Sequence, residues 1–196
     1  MHLNTSAVAT FFDGRAEHWD LHSAPKEAVI NTILDSAGVS PGVSVLDIGC
    51  GTGVLFPYYL SRNVSRVTGV DLSPGMIRRA KEKFGSDTRV SLLCADASNT
   101  SFAPHDVCVV YNALPHFQSA ETLICALSKA LIPGGRLTIA HGDSRQVINA
   151  RHTSRASEVS HDLMPAAELA ELFEPLFQVD AVHDADDYYL VSGVLK

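Results

Sequence analysis

Apolar residues fall along this chain in two rhythms. Short apolar runs, most of them rich in β-branched residues and bounded by Gly, Pro, Asp or Asn, recur at 43–48, 66–70, 90–95, 106–111, 136–141, 177–182 and 188–194. Runs of that length and make-up read as strands, and an unbroken apolar run reads as a strand covered on both faces. Between them lie stretches with helical spacing. Val29, Ile30, Ile33, Leu34 and Ala37 mark one helix, opened by Pro25 and closed by Gly38. Val54 to Leu60 predicts a short helix with Pro57 in its first turns. Ser73 and Pro74 supply the N-cap and first residue of a helix that Phe84 and Gly85 stop. Ala120 to Leu131 turns Leu123, Leu127, Ala130 and Leu131 inward. Pro133-Gly134-Gly135 then turns into the run at 136–141, and a further helix begins near Pro165.

Strands alternating with helices predict a doubly wound sheet. The last two runs are separated only by the acidic turn at 183–187. That is too short for a crossover, so they must pair antiparallel. The expectation is an α/β, Rossmann-like fold: a doubly wound, seven-stranded, mostly parallel sheet with an antiparallel C-terminal edge hairpin, one strand of which is an antiparallel edge. No linker or repeat divides the chain, so residues 1–196 are read as a single domain. Two segments stand outside the alternation. Residues 1–24 have no clean period and read either as a frayed helix or as a flap that lays Phe11, Phe12 and Trp19 over a ligand. Residues 142–164 are a polar insertion with a helical middle from Ser144 to Ala156. Its place above the sheet's C-terminal edge makes it a candidate lid, with Arg145, Asn149 and His152 on one face.

The chemistry concentrates in 43–53, an apolar run that ends in Asp47, Ile48 and a glycine-rich turn, Gly49-Cys50-Gly51-Thr52-Gly53. Glycines there let a ligand approach the backbone, and the helix that follows directs free N–H groups at it. The dinucleotide fingerprint G-x-G-x-x-G is broken by Val54, and no Gly-Lys-Ser/Thr ending is present. Asp47 would repel a pyrophosphate and attract an ammonium. A second acid, Asp71, ends the next run about 20 residues on, where a carboxylate can accept ribose hydroxyls. A third, Asp96, ends the run after that and is placed to accept from an adenine amino group. An amino-acid end, a sulfonium and a nucleoside together describe S-adenosylmethionine.

Val45-Leu46-Asp47-Ile48-Gly49-Cys50-Gly51-Thr52-Gly53 resembles the first motif of the class I S-adenosylmethionine-dependent methyltransferases. Val70-Asp71-Leu72-Ser73-Pro74-Gly75-Met76 resembles the second, Ala95-Asp96-Ala97 the third, and Leu131 to Leu137 the Pro-Gly-Gly turn before the fifth strand. The likeness covers roughly residues 8 to 196. It is nearest in flavour to the small-molecule branch typified by the ubiquinone/menaquinone-biosynthesis methyltransferases, which also open on a segment like Phe11-Phe12-Asp13 and Trp19-Asp20. The resemblance implies methyl transfer to a small molecule. Asp47, Gly49, Cys50, Gly51 and Gly53 would hold the methionine end, Asp71 the ribose, and Asp96 with Ala97 the adenine. Leu72 and Met76 would wall the site, and Asn112 and the segment to His116 would border the methyl's exit. A non-catalytic S-adenosylmethionine-binding sensor or partner subunit is the alternative. A nicotinamide oxidoreductase is disfavoured by Val54 and Asp47.

A net charge of −7 with no basic cluster argues against nucleic acid as partner. No apolar run is long enough to span a membrane and the first residues do not read as a secretory signal. Four cysteines spread singly fit a reducing cytoplasm. The pattern sets no oligomeric state. Three readings of the histidines stay open. They are solvated or structural groups; or His116, His141 and His152 orient or deprotonate the acceptor; or His141, His152 and His161 bind a metal that positions it. His116 and His141 end strands and are expected to face the pocket.

Overall fold

The computed structural model describes residues 3–22 and 26–196. The helix start expected at Pro25 lies outside the described residues. Fourteen regular elements follow one another: α1 (Thr5–Asp13), α2 (Glu27–Ser36), β1 (Ser44–Ile48), α3 (Phe56–Ser61), β2 (Arg66–Asp71), α4 (Pro74–Phe84), β3 (Val90–Cys94), β4 (His105–Tyr111), α5 (Ala120–Ser128), β5 (Leu131–His141), α6 (Arg145–Arg155), α7 (Ala166–Phe173), β6 (Phe177–Asp184) and β7 (Tyr189–Leu195). The strands form one sheet in the order β3-β2-β1-β4-β5-β7-β6, parallel except for β7. Among the described residues no helix is long and apolar enough to cross a membrane.

Strand parity builds two cores. Val45 on β1 and Val107, Val109 and Tyr111 on β4 face α2 and α3, where Ile30, Ile33, Leu34, Phe56 and Tyr59 are buried. Leu46, Ile48, Cys108 and Val110 face the other way, onto α5 and α7. The alternation of the pleat thus covers both faces, as a doubly wound sheet requires. Helix starts follow local chemistry. The Ser73 hydroxyl accepts from the Met76 N–H at 3.1 Å with Pro74 next in line, and Asn4 caps α1 by accepting from Ser6 N at 2.9 Å.

The third strand is the sheet edge, and Leu93 on it is exposed. Three details differ from the sequence reading. Helix α5 ends at Ser128, and Leu131 already belongs to β5, where it pairs with His105. The Pro-Gly-Gly turn is a bulge inside β5, absorbing residues before Arg136 rejoins the ladder opposite Val107. In the C-terminal hairpin the antiparallel strand β7 is not the edge. It inserts between β5 and β6, which leaves β6 outermost. A third, small cluster joins Val8 of α1 to Ala156 and Val159 beyond α6, with Phe11, Phe12 and Leu72 against it. It ties the N-terminal segment to the insertion after β5.

Candidate active site

One large cavity of about 1310 Å³ opens at the C-terminal edge of β1, β2 and β4, where open α/β sheets take ligands. A pocket for one small ligand usually has about 300–1,000 Å³, so there is room for two molecules side by side.

The glycine turn forms its floor. Gly49 N and Cys50 N both donate to Val70 O, at 2.8 and 3.0 Å, which clamps the turn to β2. Gly49, Cys50 and Gly51 line the cavity. Gly51 has φ +54, and a side chain there would point at the Trp19 indole. Gly53 does not border the cavity; its φ of +85 and its contact with the Phe84 and Phe56 rings make it a packing glycine. Asp47 is deeper than its position before the glycines implied. It is 2% exposed, lies under the turn rather than on the cavity wall, and its Oδ2 has no hydrogen-bond partner among the described residues. The Tyr59 hydroxyl lies near it without the geometry of a hydrogen bond. Burial, and secondarily the Asp71 charge, push the Asp47 carboxyl up to about 8. An unpaired buried carboxyl beneath a positive-φ turn fits the ammonium of an amino-acid ligand.

Asp71 ends β2 on the cavity wall. Its Oδ2 accepts from Gly51 N at 2.9 Å and its Oδ1 from Ser73 N at 2.8 Å. Each oxygen retains a lone pair, so a ligand diol can share the carboxylate. Burial raises its pKa against the pull of those N–H groups. Leu72, Met76 and Ala97 line the same wall. Asp96 stands two residues beyond β3, accepting from Ser98 N at 2.9 Å and from Asn99 Nδ2 at 2.7 Å. Floor, Asp71 and Asp96 thus run along one wall, as a nucleoside-bearing ligand needs.

The N-terminal segment closes the opposite side. Phe12 makes edge contacts with Trp19 at 5.6 Å and with the His116 ring at 4.7 Å, and all three line the cavity. Two acids that sequence reasoning left without a role fasten it. Asp13 Oδ1 accepts from Gly75 N at 2.5 Å and from the Ser73 hydroxyl at 3.2 Å. Asp20 accepts from the Thr52 hydroxyl at 2.5 Å and pairs with Lys83 at 2.8 Å. The one signal for them was the Phe-Phe-Asp…Trp-Asp segment that contains both.

On the far side lie Tyr111, Asn112, His116, Gly142, Asp143, Arg151 and His152. Asn112 takes φ +55 and its Oδ1 accepts from Gly142 N at 2.9 Å, joining the ends of β4 and β5. His116 Nδ1 lies 2.9 Å from Val159 O. A carbonyl only accepts, so Nδ1 carries the hydrogen and Nε2, without a partner among the described residues, keeps a lone pair. Burial holds the His116 pKa down, at about 4. The His152 ring is 5.0 Å away, its pKa also lowered by burial.

His141 does not face the cavity as expected. It continues the Leu137–Ile139 face of β5, is 1% exposed, packs edge-on to Tyr189 at 5.8 Å, and burial pushes it down to about 3. His161 lies outside the cavity and donates its backbone N–H to Pro115 O at 2.8 Å. Of the α6 face expected to look inward, only His152 does. Arg145 pairs with Asp184 at 2.9 Å, and Asn149 holds the backbone of Leu163. Among the described residues no group of three or more His, Cys, Asp or Glu side chains could hold a metal ion, and His141, His152 and His161 do not form one.

Residues 46–139 match the family model described as a methyltransferase domain. A malonyl-[acyl-carrier protein] O-methyltransferase of Priestia megaterium is 31% identical over 140 residues, covering 69% of this chain and 51% of that protein. A demethylmenaquinone methyltransferase of Corynebacterium kroppenstedtii is 30% identical, covering 67% and 58%. The chain therefore spans a little over half the length of these relatives. The N-methyltransferase NodS of Bradyrhizobium japonicum, solved with S-adenosyl-L-homocysteine, superposes with a TM-score of 0.74 at 18% identity, covering 96% of this chain and 98% of that one. The domain match and these named relatives place residues 46–139 in the methyltransferase domain family, on a fold shared with a solved S-adenosyl-L-homocysteine-bound methyltransferase.

Proposed function

We propose that this protein transfers the methyl group of S-adenosylmethionine to a small-molecule acceptor held in the same cavity. The observation that carries the reading is one wall bearing the glycine turn, Asp71 and Asp96, with the unpaired Asp47 carboxyl directly beneath the turn. The relatives are named for methyl transfer to malonyl-[acyl-carrier protein] and demethylmenaquinone, and we extend that activity class, not those substrates, to this chain.

When bound, S-adenosylmethionine would supply a sulfonium-activated methyl, transferred in line to an acceptor's lone pair as the methyl–sulfur bond breaks and the electron pair leaves on the neutral thioether. The chain's own residues bind, orient and exclude water. Asp47 and the turn hold the ammonium end, and Asp71 the ribose. Asp96 and Ala97 hold the adenine, with Leu72 and Met76 as apolar walls. Residues 1–24 act as a flap through Phe12 and Trp19, and 142–164 as a lid through His152. His116 turns its free Nε2 to the acceptor and takes or orients its proton. Because burial keeps that imidazole neutral at pH 7, it is available but weakly basic, which suits an acceptor whose proton is already acidic. The four free cysteines and the acidic composition fit a cytoplasmic enzyme.

The test is incubation with methyl-labelled S-adenosylmethionine and pooled cell metabolites. Label in a small-molecule product is the expected result. Tight S-adenosylhomocysteine binding with no labelled product from any pool would instead favour a non-catalytic cofactor sensor.

A further inference from the structure

We propose that the acceptor carries a carboxylate, which Lys26 and Arg151 bind beside Asp143. The inference rests on the methyltransferase reading above and names the acceptor's chemical class. Lys26 Nζ lies 2.6 Å from Asp143 Oδ1, and Arg151 Nη1 lies 2.8 Å from Asp143 Oδ2. Three elements bring them together: Lys26 precedes α2, Asp143 follows β5, and Arg151 sits on α6. All three line the cavity on the Tyr111–Asn112 side. Two cations share one carboxylate, and neither has a second carboxylate within ion-pair distance among the described residues. The local surplus is one positive charge on a chain of net charge −7.

The cations are not used up by the pairing. Lysine offers three donors and arginine five, one from each is engaged with Asp143, and their side chains are 50% and 55% exposed. The same cavity also has apolar walls, Val8, Phe11, Phe12, Phe117 and Ala156 among them. A cationic pair in a cavity that also has apolar walls fits a molecule with an apolar body and an acidic head. The nearby bases cannot replace that anion. His116 and His152 are held neutral by burial, and Asp143 is held ionised by its two partners. The same chemistry could come from the cofactor's own carboxylate. Arg15 also lines the cavity and, among the described residues, donates only to Phe11 O at 2.9 Å while stacked on the Phe11 ring. It has no carboxylate partner among the described residues and can take that group, which leaves the Asp143 pair to the acceptor.

The experiment titrates matched probes, phenylacetate against phenylacetamide and octanoate against octanamide, into the full chain by calorimetry, with and without saturating S-adenosylhomocysteine. The acid of each pair is expected to bind about ten-fold tighter than its amide, the worth of one charge-assisted contact. The double variant Lys26→Met, Arg151→Met should lose that preference while keeping S-adenosylhomocysteine affinity. Asp143→Asn, which frees both cations, should strengthen acid binding, a gain that a merely structural tie would not give. Equal binding of acid and amide by the unmodified protein overturns the proposal. So does a double variant that loses S-adenosylhomocysteine as steeply as the acids, since the pair would then hold the cofactor's carboxylate. Acid preference without any S-adenosylhomocysteine binding would sink the methyltransferase reading and leave the anion site standing.

Discussion

Replacing Asp47 by asparagine removes a proton-binding site from the core while keeping its shape. Burial raises this carboxyl from 3.8 to about 8, and the nearby Asp71 charge adds to the effect. Each unit is about 1.4 kcal/mol, so the raised pKa costs roughly 6 kcal/mol of stability above pH 8, and roughly 4 at pH 7. Between pH 4 and 8 the folded chain holds a proton that the unfolded chain has released. The contribution is therefore fully present below pH 4 and is lost as pH rises through 8. The asparagine has nothing to ionise. Urea unfolding at steps from pH 5 to pH 8.5 should show the Asp47→Asn protein gaining on the unmodified one by a few kcal/mol as pH rises. Asp71, also raised by burial, leaves a slope of the same sign in both. In calorimetry at pH 7, S-adenosylhomocysteine should release part of a proton from the unmodified protein and none from this site in the variant, since an ammonium would draw Asp47 into its charged form. A stability difference constant across the pH range would refute the buried, unpaired carboxyl.

Two further outcomes follow from the geometry. Asp13→Ala removes the acceptor for Gly75 N and the Ser73 hydroxyl, and should weaken S-adenosylhomocysteine binding by about 1–2 kcal/mol if the N-terminal segment closes over the ligand; unchanged affinity would show that it does not. Gly69→Ala places a methyl 2.5 Å from Phe56 Cζ and 3.0 Å from a Leu92 methyl, so thermal unfolding should report a loss of roughly 1–3 kcal/mol with cofactor affinity little altered.

What could be read ahead of the structure was what local chemistry dictates. Strand β1 stands between Pro-Gly and glycine punctuation, and α4 carries its own cap in Ser73, so both were placed within a residue. The covered or open state of β3 was not legible. Leu92 and Leu93 look alike whether a sheet face is roofed or not, and only sheet order makes β3 an edge. The insertion of β7 between β5 and β6 is likewise a tertiary choice, since an antiparallel pair fixes neither partner's outer neighbour. Asp13 was missed as an anchor because its partner Ser73 lies 60 residues away. His141 was misplaced for a reason the sequence did contain: in a period of two it shares the face of Leu137 and Ile139, both fully buried.

The central claim is that one adenosyl-amino-acid molecule lies along the turn, Asp71 and Asp96. Trp19, the chain's single tryptophan, faces Gly51 and offers its fluorescence as a direct reporter. Titration with S-adenosylhomocysteine should quench it saturably, NAD should not compete, and Asp71→Ala should weaken binding by about 1.5–3 kcal/mol, the worth of a hydrogen bond to a charged group. Equal competition by NAD, or an Asp71→Ala protein that binds as tightly as the original, would contradict the placement of the ligand and the function built on it.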